Sequence, residues 1–201
     1  MSKIKNSPVF WLCLTVITII ILTLFGPEEK SLGANVRIIY LHGSWVVAAE
    51  LAFFAAAIAG LVGLIIRHDR ANQWSAALGR AGIVFWVTYL PMSLWAMQTN
   101  WNGLFLAEPR FRLALIFAIT GALIQIGLWL LDRAWLTSLF NIIFIVALRV
   151  VFSTAANVMH PPPSPIFSSG NWNIIGFFIA LNILTLTAVY FTTRLFLQKS
   201  G

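Results

Sequence analysis

Apolar runs broken by short polar punctuation fill most of the chain. Six runs stand out, at residues 9–25, 38–66, 81–98, 113–131, 136–158 and 172–191. A helix needs about 20 largely apolar residues to cross roughly 30 Å of hydrocarbon. The pattern therefore predicts an all-α integral membrane protein, a bundle of six transmembrane helices forming one domain over residues 1–201. The first run follows Lys3 and Lys5 and has the outline of a secretory leader. It is longer than the about 7–15 apolar residues usual there, and no small-residue cleavage motif precedes Gly26-Pro27-Glu28-Glu29. We read it as an uncleaved helix.

Composition agrees with a membrane solvent. The 201 residues are 60% hydrophobic and 9% charged, against about a quarter charged in soluble domains. The net charge of +7 is spread over short loops, which suits membrane orientation and not nucleic-acid binding. With the N-terminus inside, the inner segments carry Lys3, Lys5, Arg67, Arg70, Arg80, Arg133, Arg194 and Lys199. The outer segments carry Lys30, Arg37, Arg110 and Arg112. Eight against four predicts an N-in, C-in topology by the positive-inside rule. The single cysteine, Cys13, lies in the first run and has no partner for an internal disulfide. No CxxC or CxxCH occurs, so dithiol redox chemistry and covalent haem attachment have no support.

Individual positions refine the picture. The second run is rich in alanine (Ala48, Ala49, Ala52, Ala55, Ala56, Ala57, Ala59) and continues into Gly60 and Gly63, a surface that lets helices approach closely. Pro91 lies inside the third run, where a kink is expected. His68 falls in the inner basic loop and reads as a solvated side chain. Glu50 and Arg149 are the ionisable residues deepest in the runs, and such groups usually face the bundle interior with a partner. The two either pair with each other or have separate polar partners. A helix regular to residue 158 would put Arg149 and His160 on one face, eleven residues apart.

The proposed orientation brings the connection 27–37, the Trp-bearing segment 99–112 and the proline-rich loop from His160 to Pro165 to the outer side. His42 and His160 then stand at the same membrane face, a pattern that fits either ordinary interfacial histidines or two axial ligands of a haem iron. Trp95 and Trp101 fit an interfacial aromatic belt, or a shelf for a flat ligand.

The order of these features resembles the cytochrome c assembly family, in its haem exporter protein C type. The resemblance covers about residues 35 to 195 and begins at Arg37-Ile38-Ile39-Tyr40-Leu41-His42. It continues at Leu94-Trp95 and at Trp101-Asn102-Gly103-Leu104-Phe105-Leu106-Ala107-Glu108-Pro109-Arg110. That segment stands where the family carries the motif W-G-T-W-W-x-W-D-x-R, with Trp101, Glu108 and Arg110 on its Trp, Asp and Arg. Leu104, Phe105 and Ala107 replace three of its tryptophans, so the aromatic shelf is smaller. The resemblance implies haem b as ligand, with His42 and His160 on the iron. Trp95, Trp101, Glu108 and Arg110 would form the surrounding site. It also implies haem delivery to a periplasmic chaperone beside other maturation subunits, in a bacterial or archaeal cytoplasmic membrane (the cell inner membrane where there are two).

Three functional classes follow. The first is a haem-binding protein of cytochrome c maturation, which positions its ligand and is not an enzyme. The second is a small-solute transporter or permease-like subunit with Glu50 and Arg149 along a polar path. The third is a structural subunit that docks through its alanine-rich helix. Hydrolase chemistry has no footing, since GxSxG and HExxH are absent.

Overall fold

The computed structural model describes residues 7–156, 158 and 165–198. Within them the chain forms seven helices and no named strand. These are α1 (Pro8–Leu24), α2 (Val36–Ile65), α3 (Asp69–Trp101), α4 (Pro109–Leu131), α5 (Ala134–Ser153), the four-residue α6 (Pro165–Ser168) and α7 (Trp172–Gln198). Five of them, α2, α3, α4, α5 and α7, are long and apolar enough to cross a membrane. The protein is a multi-pass, all-helical membrane protein. Helix α1 is equally apolar in character but has 17 residues.

Helix boundaries follow local chemistry. His68 caps α3 through Nδ1, which accepts from the Ala71 N–H at 3.1 Å, and Asp69 opens the first turn. His68 is exposed in the loop, as expected, and adds a capping role. Helix α3 ends at Asn102 and α4 at Asp132, both left-handed with φ of 54° and 50°, where Asn and Asp are tolerated best among non-glycines. Glu108 caps α4, accepting from the Phe111 N–H at 2.6 Å, and Pro109 starts the helix without needing a donor.

Several boundaries differ from the hydropathy reading; the fourth run begins at Pro109 and the last continues to Gln198, and two further shifts bear on the site. The third helix starts at Asp69, not near residue 81, so the polar stretch 69–80 is helical. The fifth ends at Ser153, not at 158. Ser153 and Thr154 turn their hydroxyls onto the carbonyls of Val150 and Val151, at 2.8 and 3.0 Å. Such local bonds favour helix ends over helix interiors. The shared face expected for Arg149 and His160 needed a regular helix to 158, which the early stop removes. Helix α3 runs unbroken through Pro91.

Consecutive long helices run antiparallel. One end of the bundle holds the connections 25–35 and 102–108 and the exit from Ser153; we call it the His42 end. There Asn35 Nδ2 donates to Thr99 O and Asn100 Nδ2 to Asn35 O, each at 3.3 Å, which ties α2 to α3. The opposite, Asn72 end holds the tight connections 66–68 and 132–133.

Helix α2 lies at the centre, against α3, α5 and α7, while α1 packs on α7 with Trp11 stacked over Phe191 at 6.2 Å. Lipid and apolar side chains are alike in polarity, so close fit must supply the adhesion. The small face of α2 provides it. Ala48, Ala49, Ala52 and Ala56 are at most 2% exposed. A Cβ on Gly60 would stand 2.9 Å from Ser75 Oγ, and one on Gly63 would collide with Asn72. The fully buried part of that alanine-rich surface is used inside the bundle, while Ala55, Ala57 and Ala59 stay part-buried.

At the Asn72 end, α2, α3, α4 and α5 are joined by a neutral polar network. Ser138 Oγ donates to Asn72 Oδ1 at 2.8 Å. Asn141 Nδ2 donates to Ser75 O at 2.8 Å and lies 3.1 Å from Ser75 Oγ. Gln125 Nε2 donates to Asn141 Oδ1 at 2.8 Å, and Ser75 Oγ to Ala56 O at 2.7 Å.

Candidate functional site

The candidate site gathers at the His42 end, from α2, α3, the start of α4 and the end of α5. His42 is six residues into α2, about 9 Å along its axis. Its ring packs on Tyr89 of α3, with centroids 5.5 Å apart and planes 55° apart. Tyr89 is 5% exposed and meets Trp86 edge-on at 5.0 Å. Trp86, fully buried, donates its indole N–H to Ala114 O at 3.1 Å and so ties this wall to α4.

Eight residues beyond His42, about 12 Å deeper, Glu50 accepts from Arg149 Nη1 at 3.1 Å. The pairing that the sequence left open is therefore present. Its side chains are 25% exposed for Glu50 and 51% for Arg149. Arg110 also acts electrostatically on Glu50. Tyr89 lies in the fields of Glu50 and Glu108. Glu50 thus bonds one guanidinium, Arg149, and feels the charge of a second, Arg110, while the His42 imidazole stands about 12 Å away along α2.

The other expected site residues divide. Glu108, 8% exposed, serves the α4 N-terminus as its cap. Trp101 is the last residue of α3 and packs edge-on to Phe105 at 5.8 Å, leaving a small aromatic wall at the rim. Trp95 is 61% exposed. It stands on the face of α3 opposite Ser93 and Met97, which are buried, and does not join the His42–Tyr89 pair. His160 lies outside the described residues, as do Lys3, Lys5 and Lys199. Among the described residues no group of three or more His, Cys, Asp or Glu side chains converges as a metal site.

The rim is fixed by the connection before α2. Arg37 bonds Gly26 O at 3.0 Å and Glu28 at 3.1 Å. Glu29 accepts from the Ser31 hydroxyl and from the N–H groups of Ser31 and Leu32. Those bonds, the hydroxyl first, hold its carboxyl below the usual range.

No protein-family model matches the chain, and no curated protein matches it either. The site must be judged on its own donor set. A haem asks for an imidazole for iron, cations for its carboxylates and a flat apolar wall. His42 offers the first. Arg110 and Arg149 offer the second while also serving Glu50, and Trp101 with Phe105 offers a reduced form of the third. These donor types are the ones such a group uses.

Sequence reasoning missed Tyr89, the aromatic partner of His42. Its signal is the spacing Trp86, Tyr89, Ser93, Met97, which marks one helical face at steps of three and four.

Proposed function

We propose that this is a haem-binding membrane protein of cytochrome c maturation, which holds haem at the His42 end and hands it to a partner. The observation that carries the reading is the setting of His42, a part-buried imidazole against Tyr89, with Arg110 at the start of α4 and Arg149 near the end of α5 on the same side of the bundle. Haem is cargo here, bound through iron and carboxylates. The chain's own part is to present the His42 imidazole, to hold the propionate-binding cations in place through Glu50, and to shield the macrocycle from water. His160 is the second iron ligand in this reading. Helix α1 is the sixth span, since 17 residues is at the short limit of about 17–25 for crossing. The excess of basic residues on the Asn72 end puts both termini inside and the His42 end outside.

The test is a visible spectrum of purified protein titrated with haem b. A bis-imidazole Soret band that is lost in His42→Ala and in His160→Ala supports the reading. No band, or one unchanged in both variants, overturns it.

The Glu50–Arg149 pair also favours a second reading, a permease-like subunit, since paired charges within spanning helices mark solute or ion paths. Proteoliposome flux that vanishes in Glu50→Gln, without any haem spectrum, would select it.

A further inference from the structure

A groove of about 280 Å³ lies between α2, α3 and α7, away from the His42 site. Ala52, Ala55, Leu78 and Leu186 are among its lining residues. It follows the helix axes, running along α7 from Leu186 to Thr193, about 10 Å at 1.5 Å per residue. It opens on the outside of the bundle, where Leu51 and Tyr190 of its lining are 44% and 45% exposed. On a membrane protein that surface meets acyl chains.

The groove has a polar end. Trp74 of α3 and Tyr190 of α7 line it from opposite sides. Because α3 starts and α7 ends at the Asn72 end, Arg70 and Arg194 each stand one helical turn beyond these aromatics toward that end. Both are exposed. Arg194 is held over the groove wall, with Nη1 3.0 Å from the Tyr190 hydroxyl and its guanidinium 5.9 Å from the Tyr190 ring centre. An apolar trough at chain depth, closed by two aromatics and two guanidiniums at headgroup level, matches an amphiphile with an anionic head. Asp69, in the first turn of α3, is the acidic group nearest Arg70 in the chain.

We propose that this groove holds an acyl chain of an anionic phospholipid, with Arg70 and Arg194 taking its phosphate. The orientation proposed above sets it in the cytoplasmic leaflet, whose lipids carry the negative charge. The site is independent of haem.

The experiment is native mass spectrometry of delipidated protein titrated with phosphatidylglycerol or phosphatidylcholine of the same chains. It is paired with photocrosslinking by a diazirine-bearing phosphatidylglycerol. The expected result is at least about tenfold tighter binding of the anionic lipid, the scale of one charge-assisted contact, and crosslinks on residues 51–55 and 186–193. Arg70→Gln with Arg194→Gln should erase the preference. Ala55→Trp should remove the crosslinks with both arginines in place. Equal affinity for the two lipids overturns the proposal. So do crosslinks spread evenly over the bundle, or a second copy of the chain seated in the groove. If a variant does not fold, the wild-type lipid comparison and crosslink map still decide.

Discussion

At the Asn72 end, Asn72, Ser75, Ser138 and Asn141 are at most 4% exposed and bond one another across helices. At the His42 end, Glu50 and Arg149 pair with a quarter and a half of their side chains accessible. Both regions place polar groups inside an apolar bundle, yet they solve different problems. The neutral network sits against Gly60, Gly63 and Gly79, none of which leaves room for a Cβ. A network so enclosed joins helices and fixes their register. The charged pair is left partly accessible. Charges are retained in such a place when a ligand or path needs them, because an ion pair alone adds little net stability.

This contrast can be broken by experiment. The largest effect is expected from Gly79→Val. A Cβ there already stands 2.5 Å from Asn141 Oδ1, so the branched side chain must drive α3 and α5 apart. A loss of about 3 kcal/mol is expected, read as a fall in thermal stability in detergent. Asn141→Leu comes next, at about 2 kcal/mol, since it removes the acceptor of Gln125 Nε2 and the cross-helix donor to Ser75. If Asn141→Leu is neutral, the network is not the clamp argued here.

Smaller changes probe the other region. Glu50→Gln and Arg149→Gln should each cost roughly 1 kcal/mol or less, given their exposure. The double variant should cost less than the two together, and strict additivity would dissolve the pair. Haem titration of the same variants should move more than their melting temperature does, the reverse of Asn141→Leu.

The smallest effect concerns the turn from Glu29 to Gly33 at the rim. The Glu29 carboxyl titrates below its unfolded value. The turn's stabilisation is therefore full above the unfolded pKa and fades as pH falls through the lower, folded one. Amide exchange at Ser31 should quicken only on acidification past the usual carboxylate range, and Ser31→Ala should move that onset upward.

Much of the architecture was legible because apolar runs report lipid contact directly. The five long helices and their order follow from length and rise alone. The start of α3 was not legible. Asp69, Arg70, Asn72, Gln73 and Ser75 read as a loop by polarity, while partners on α2 and α5 absorb Asn72 and Ser75. Hydropathy scores a side chain against solvent and cannot see a partner 66 residues away. The end of α5 was hidden for a related reason, since hydroxyls that turn back on their own helix leave no trace in an apolar average. At the candidate site, the position of His42 near a helix end was readable. That Trp95 points outward required the phase of α3, which only the buried set Tyr89, Ser93 and Met97 reveals.

The cross-helix bonds of α3 also impose an order on biosynthesis. Among the five long helices, α3 has the least apolar best window. When it leaves the ribosome its Asn72 and Ser75 face a membrane in which Ser138 and Asn141 do not yet exist. Helix α3 is therefore expected to linger at the translocation channel, or beside α2, until α5 arrives. A nascent chain cut after α4 should be the form that quality-control proteases recognise first.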